Sequence, residues 1–384
     1  MRVALVHYWL VTWRGGERVL KAIADLFPQA DIYSHVVDPK LVAREFPGRQ
    51  IRTTFVSRLP FARRHYQRYL PLMPLALEQL DLRQYDLVIS SESGPAKGVI
   101  VAPHATHLCY CHSPMRYVWD RYHDYRAPAG ALTRALMAPL FHYVRTWDQL
   151  SAQRVDHYAA NSRFVARRIE KYYRRSAEVI YPPVAVDQFD ATREDGDFYL
   201  WVGQLVRYKR PELLVEAFNE LGMPLVVIGE GEMLAPLRRL AKPNVRILGP
   251  QPFDVIRDHY ARCRALVFPG IEDFGIVPVE AMASGRPVIA FDYGGARETV
   301  IEGVSGLLFR DQSAAGLIEA VRRFESAPAF DRKVIRAHAE KFSEPAFRAR
   351  FGAFVSESTH MQEPYTAPKA VSLHARDVVR RSGH

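Results

Sequence analysis

No stretch of this sequence reaches the ~18 consecutive apolar residues that a membrane-spanning helix needs. Met1-Arg-Val-Ala-Leu-Val-His-Tyr-Trp-Leu10 occupies the position of a signal peptide. It has neither an adequate apolar core nor a small-residue cleavage site, so it reads as a first strand. Cysteine is scarce: Cys109, Cys111 and Cys263 form no disulfide or zinc spacing. Cys-x-Cys on a strand places both side chains on one face, which points to buried thiols and a reducing, cytoplasmic compartment. Internal repeats and low-complexity tracts are also lacking.

What is present fits two globular domains. The chain has 384 residues, 48% apolar and 24% charged, too many for one ordinary core. Its net charge of +10 suits a nucleic acid, an anionic membrane or an anionic substrate. No helix-turn-helix, zinc-finger or RNA-recognition signature accompanies the charge, so nucleic acid is not an expected partner.

The most informative stretch runs from Phe268 to Glu298. Ala265–Phe268 is a short apolar run ended by Pro269-Gly270. A helix is expected from Ile276, with Pro278 in its first turn, where a missing N–H costs nothing. Gly285 closes it, Pro287–Phe291 reads as a second buried strand, and Gly294-Gly295 opens another loop and helix. Two helix N-termini then point to one end of a parallel sheet, offering free N–H groups and positive dipole ends to an anion. Glu272 and Glu280 frame that site. Carboxylates there are suited to accept from sugar hydroxyls, which a nucleotide-sugar carries on both its hexose and its ribose.

Glu272-Asp-Phe-Gly-Ile-Val-Pro-Val-Glu280, with Ala281-Met-Ala-Ser-Gly-Arg-Pro-Val288 and Gly294-Gly295…Glu298, resembles the E-x7-E signature of retaining family 4 glycosyltransferases of the GT-B fold. The resemblance extends over nearly the whole chain. It implies two Rossmann-like, doubly wound α/β domains facing a central cleft, a sugar nucleotide as co-substrate, and no metal or other cofactor. It further implies that Glu272 accepts from the hexose, Glu280 from the ribose, and that the N–H groups of Phe274, Gly275 and Ile276 meet the diphosphate. In such enzymes the departing phosphate is held to take the acceptor's proton on the same face.

Along the N-terminal half, Val3–Tyr8, Asp31–His35, Ile51–Phe55 and Asp86–Ser90 read as short strands separated by helical segments, the alternation of a parallel sheet. Gly15-Gly16 follows the first strand as a phosphate-approach loop. Arg58–Leu75 interleaves basic, aromatic and apolar residues with prolines, the composition of a segment resting on anionic lipid. His107–Asp120 ends a strand at Cys111 and so places His112, Ser113 and Arg116 where open α/β sheets bind ligands. By the resemblance, His112 contacts the transferred sugar, while Ser113, Arg116 and Tyr117 are acceptor-side candidates. The Cys-His-Ser-Pro-Met-Arg-Tyr form is similar to bacterial mannosyltransferases of O-antigen and exopolysaccharide assembly. This implies GDP-mannose as donor and a lipid-linked oligosaccharide acceptor at the inner face of the plasma membrane.

The expected domains are 1–180, a linker 181–197, a donor domain 198–340, a helix 341–361 returning toward the first domain, and a mobile tail 362–384. Asp195-Gly-Asp197 has a metal–diphosphate form but lies in a turn before a strand, so it reads as structural. Gly203-Gln-Leu-Val-Arg-Tyr-Lys209 matches a family Gly-Arg-Leu…Lys segment whose Arg and Lys grip the diphosphate. Lys209 matches the lysine; Gln204 stands in place of the arginine, and Arg207 is the nearest replacement. Two other readings compete: a sugar-nucleotide epimerase or UDP-sugar transferase on the same fold, and a basic nucleic-acid-binding protein.

Overall fold

The computed structural model describes residues 1–127 and 129–360, so the tail expected over 362–384 falls outside the described residues. Among the described residues, thirteen strands form two wholly parallel sheets. The first contains β1 (Val3–His7), β2 (Asp31–Ser34), β3 (Ile51–Thr53), β4 (Leu87–Glu92), β5 (Thr106–Cys111), β6 (His157–Ala160) and β7 (Glu178–Val179), in the order β3-β2-β1-β4-β5-β6-β7. The second contains β8 (Tyr199–Val202), β9 (Leu225–Ile228), β10 (Val245–Gly249), β11 (Ala265–Phe268), β12 (Val288–Phe291) and β13 (Gly306–Phe309), in the order β10-β9-β8-β11-β12-β13.

Helices cover both faces of each sheet, which is why central strands such as Val-Ala-Leu-Val and Leu-Val-Val-Ile are continuous apolar runs rather than alternating ones. In register, Leu5 lies opposite Ile32 and Ile89, and Leu200 opposite Val226 and Leu266. Strand order reverses beside β1 and β4 in one sheet and beside β8 and β11 in the other. Crevices at the carboxyl ends of such strands are where open α/β sheets bind ligands.

The chain crosses between the domains twice, and the crossings lie side by side: Val184 N–H donates to Phe342 O at 2.9 Å. The second crossing leads into the helix Glu344–His360. Its Phe347, Phe351, Phe354 and Val355 pack with Leu5, Ile23 and Tyr110 in the core of the first domain. Most of the expected linker 181–197 belongs to the second domain. Val184, Val186 and Phe189 are buried in its core, and Asp195 pairs with Arg286 and Arg332. The polar run Thr192–Asp197 suggests a linker, but the apolar side chains before it anchor the segment. Cys109, Cys111 and Cys263 are free thiols, all buried. Among the described residues no helix is long and apolar enough to cross a membrane.

Candidate active site

The helix Ile276–Ala283 starts directly after β11, behind Gly275 at φ +86°, a left-handed conformation that favours glycine. Its sequence Ile-Val-Pro-Val-Glu-Ala-Met-Ala has one polar side chain, so the helix is buried nearly all round. That side chain, Glu280, must therefore find partners. It accepts from Tyr260 Oη at 2.9 Å and faces Arg18 of the first domain at 3.5 Å. Burial raises its pKa, and Arg18 opposes the shift.

Glu272, in the loop before this helix, pairs with Lys209 at 2.9 Å. Burial pulls the Lys209 ammonium down, but the facing Glu272 carboxylate and Tyr208 together leave the lysine pKa raised. Lys209 is thus a charged group held in the crevice at the switch point of the second sheet. Arg207 is elsewhere: its side chain is 82% exposed and faces Glu232 at 3.9 Å, so the structure does not bring it together with Lys209. Phe274 is buried against Tyr181 and Phe342 at the interdomain crossing. Gly294-Gly295 forms no open cradle. A Cβ on Gly294 would meet Glu272 O at 2.5 Å, and one on Gly295 would meet Phe274 Cα at 2.3 Å. Those glycines let one loop lie on the other, joined by Gly295 N–H donating to Glu272 O at 2.8 Å, and the helix after them, Ala296–Thr299, is a single turn.

On the facing side, β5 ends at Cys111 and places His112 at the strand's carboxyl end, as expected. Its Nε2 lies 2.8 Å from Ser91 Oγ, which lies 3.1 Å from Nδ1 of the buried His7. Asn161 Nδ2 donates to the His112 carbonyl at 2.8 Å. Burial lowers the His112 pKa to about 4, against a smaller opposing pull from Asp273, so the imidazole is neutral at pH 7. Gly15 and Gly16 open the helix Gly15–Leu26 beside it. A Cβ on Gly16 would stand 2.3 Å from Tyr8 Oη and 3.6 Å from His112 Nε2, while one on Gly15 would meet Ile276 Cδ1 of the opposite domain at 2.6 Å. His112, Gly15, Gly16, Ile276 and Glu280 therefore converge across the interdomain face.

Asp273 and Glu298, quoted from the sequence without roles of their own, join the domains. Asp273 pairs with Arg116 and with Arg168 at 2.9 Å, and its carbonyl accepts from Ser162 Oγ at 2.6 Å. Glu298 accepts from the Arg163 and Phe164 N–H groups, each at 2.8 Å, capping the first turn of the helix Arg163–Tyr173 from the other domain. The acceptor-side candidates divide. Arg116 is in this group, Ser113 Oγ accepts from Arg168 at 2.8 Å, and Tyr117 packs against Tyr125 and Phe141. Among the described residues, no group of three or more His, Cys, Asp or Glu is placed to hold a metal ion.

This architecture matches solved structures along almost the whole chain. The Anabaena protein Alr3699/HepE, in complex with UDP and glucose, superposes with TM-score 0.69 at 16% identity, covering 93% of this chain and 99% of that one. Sucrose-phosphate synthase from Thermosynechococcus elongatus superposes with TM-score 0.69 at 18% identity, covering 94% and 100%. The family model described as Glycosyltransferase Family 4 matches residues 13–188, and that described as Glycosyl transferases group 1 matches residues 186–342. The chain has the GT-B fold, and each half matches a glycosyltransferase model. It is also similar in sequence to an uncharacterized glycosyltransferase of Methanocaldococcus jannaschii, 30% identical over 42% of this chain and 47% of that protein. A D-inositol 3-phosphate glycosyltransferase of Nocardiopsis dassonvillei is 30% identical over 60% of this chain and 61% of that protein. The matches span about half to three fifths of these curated relatives.

Proposed function

We propose that the chain transfers a hexosyl group from a sugar nucleotide to an acceptor, with retention at the anomeric carbon. The observation that carries this reading is the Lys209–Glu272 pair in the crevice beside the start of the helix Ile276–Ala283, opposite the neutral His112. Lys209 and the N–H groups at that helix start stabilise the negative charge that grows on the leaving diphosphate, each such donor worth ~3 kcal/mol. Glu272 accepts from hexose hydroxyls and Glu280 from the ribose. Donor binding displaces partners these carboxylates hold in the free chain. His112, uncharged, positions the sugar through a hydrogen bond. Closure of the cleft excludes water and suppresses hydrolysis of the donor.

GDP-mannose is the donor favoured by the Cys111–Tyr117 segment. A UDP-sugar is the second reading, favoured by the structural neighbour solved with UDP and glucose. The acceptor in this proposal is a lipid-linked oligosaccharide reached from an anionic membrane surface at its cytoplasmic face. Exposed Arg63, Arg64 and Arg68 beside exposed Phe61, Leu72 and Leu75 support that contact. NMR of the product's anomeric centre tests the reaction: retained configuration supports it, and inversion overturns it. Co-sedimentation with phosphatidylglycerol vesicles, but not phosphatidylcholine vesicles, tests the membrane surface.

A further inference from the structure

Lys209 is a single cation where a diphosphate brings at least two negative charges, and Gln204 adds no charge beside it. We infer that Arg116, reaching from the first domain, is the second diphosphate-binding cation of this site. Three observations carry this assignment, which rests on the donor-site reading above.

First, Arg116 is close to the lysine. Its guanidinium lies over the ring of Tyr208, 6.0 Å from the centroid, and Tyr208 is the residue before Lys209. The carboxylate facing Arg116 is Asp273 and that facing Lys209 is Glu272, adjacent residues of one loop. Two cations and two carboxylates therefore alternate beside the start of the helix Ile276–Ala283. In the free chain each cation is neutralised by a carboxylate, the arrangement a bound anion displaces.

Second, Arg116 is free to exchange while its neighbour is not. Asp273 also holds Arg168 at 2.9 Å and accepts from Ser162 through its carbonyl. Arg168 is buried and tied further to Ser113 Oγ at 2.8 Å and Asp120 at 2.6 Å. When Arg116 turns to a phosphate, Asp273 keeps a charged partner, so no orphaned buried carboxylate opposes the exchange. Arg116 itself is 22% exposed at its side chain, with one carboxylate partner.

Third, the other arginines nearby are less suited: Arg207 is almost wholly exposed and faces Glu232, and Arg121, 5.0 Å over the Tyr208 ring, faces Asp124 of its own segment rather than the Glu272-Asp273 loop. A guanidinium fork binds phosphate oxygens bidentately, which an exposed arginine gains little from and a partly buried one gains most from.

The test is calorimetric titration with GDP, UDP and the corresponding 5′-monophosphates, reading the ratio of diphosphate to monophosphate affinity within each protein. That ratio is insensitive to the fraction folded. Arg116→Ala is expected to lower the ratio about tenfold or more, the loss of one charge-assisted phosphate contact. Arg116→Lys is expected to recover part of it, and Arg207→Ala to change it by less than about threefold. Asp273→Asn, which removes the competing anion, is expected to keep or raise diphosphate affinity. An unchanged ratio in Arg116→Ala, or a loss of diphosphate affinity in Asp273→Asn, overturns the inference and leaves Arg116 as an interdomain tie. If the wild-type chain binds no diphosphate, the donor-site reading itself fails, a different outcome from the first two.

Discussion

Gly15 of the first domain lies directly against Ile276 of the second, so close that a Cβ on the glycine would stand 2.6 Å from Ile276 Cδ1. The starts of two helices, one from each Rossmann-like sheet, thus face each other across the cleft with nothing larger than a hydrogen between them.

The neighbouring glycine is the less replaceable of the two. Gly15→Ala displaces only the tip of a flexible isoleucine, whereas Gly16→Ala pushes on Tyr8 Oη beside His112. Gly16→Ala is expected to lower turnover roughly tenfold or more, since small misplacements at a reacting centre cost that much. Gly15→Ala is expected to stay within a fewfold of wild type. Steady-state rates alongside thermal unfolding of both variants check the contrast.

Glu298 caps a helix that belongs to the other domain, so its loss acts on docking rather than on either core. Glu298→Ala is expected to lower stability by ~1 kcal/mol, the worth of a helix cap. Glu298→Gln is expected to lose less, because an amide oxygen still accepts from the Arg163 or Phe164 N–H. Denaturant unfolding of the two variants measures this.

Most of the fold is legible in the chain because its signals are local. The helix from Ile276, its stop at Gly285 (φ +69°) and the strands on either side follow from proline, glycine and apolar runs within a few residues. The edge strand β10, Val245–Gly249, is less so: its exposed Arg246 and half-buried Ile247 and Leu248 leave no continuous buried run to mark it. The site is legible only in part. His112 follows from where β5 ends, whereas Lys209, beyond the end of β8, is legible only through the family resemblance of Gly203–Lys209. The partners of Asp273 and Glu298 depend on how two domains, built from segments more than a hundred residues apart, come to face each other. No local pattern encodes that. The exposure of Arg207, which faces Glu232, and the filling of the Gly294-Gly295 loop by residues 272–274 arise instead from packing within the second domain.

The Ser91 hydroxyl links His7 and His112, and burial keeps His112 neutral down to about pH 4. Transfer is therefore expected to show no loss from His112 protonation between pH 7.5 and 5.5. Ser91→Ala is expected to lower kcat by roughly tenfold through a misoriented imidazole, with Ser91→Thr retaining more. A pH–rate profile of wild type and both variants reads this.

His35 gives the chain an acid-sensitive core. It is fully buried, with Nδ1 3.0 Å from Thr54 Oγ1 and Nε2 3.0 Å from Pro95 O, and burial lowers its pKa to about 4. The unfolded chain then binds a proton that the folded chain does not as pH falls from about 6.5 to 4. Stability is lost over that window, by up to about 3 kcal/mol from this group. Compared with His35→Gln, the wild-type chain is expected to lose more denaturant stability between pH 7 and pH 4.5. Parallel slopes would remove His35 from the account.

The proposed sugar-nucleotide site is built on Lys209 and Glu272. Calorimetric titration of wild type and Lys209→Ala with GDP-mannose, UDP-glucose and UDP-N-acetylglucosamine, without added metal, tests it most directly. Wild type is expected to bind at least one of the three, and Lys209→Ala to weaken that binding about tenfold or more. Binding of none by the wild-type chain, or equal affinity in the variant, contradicts it.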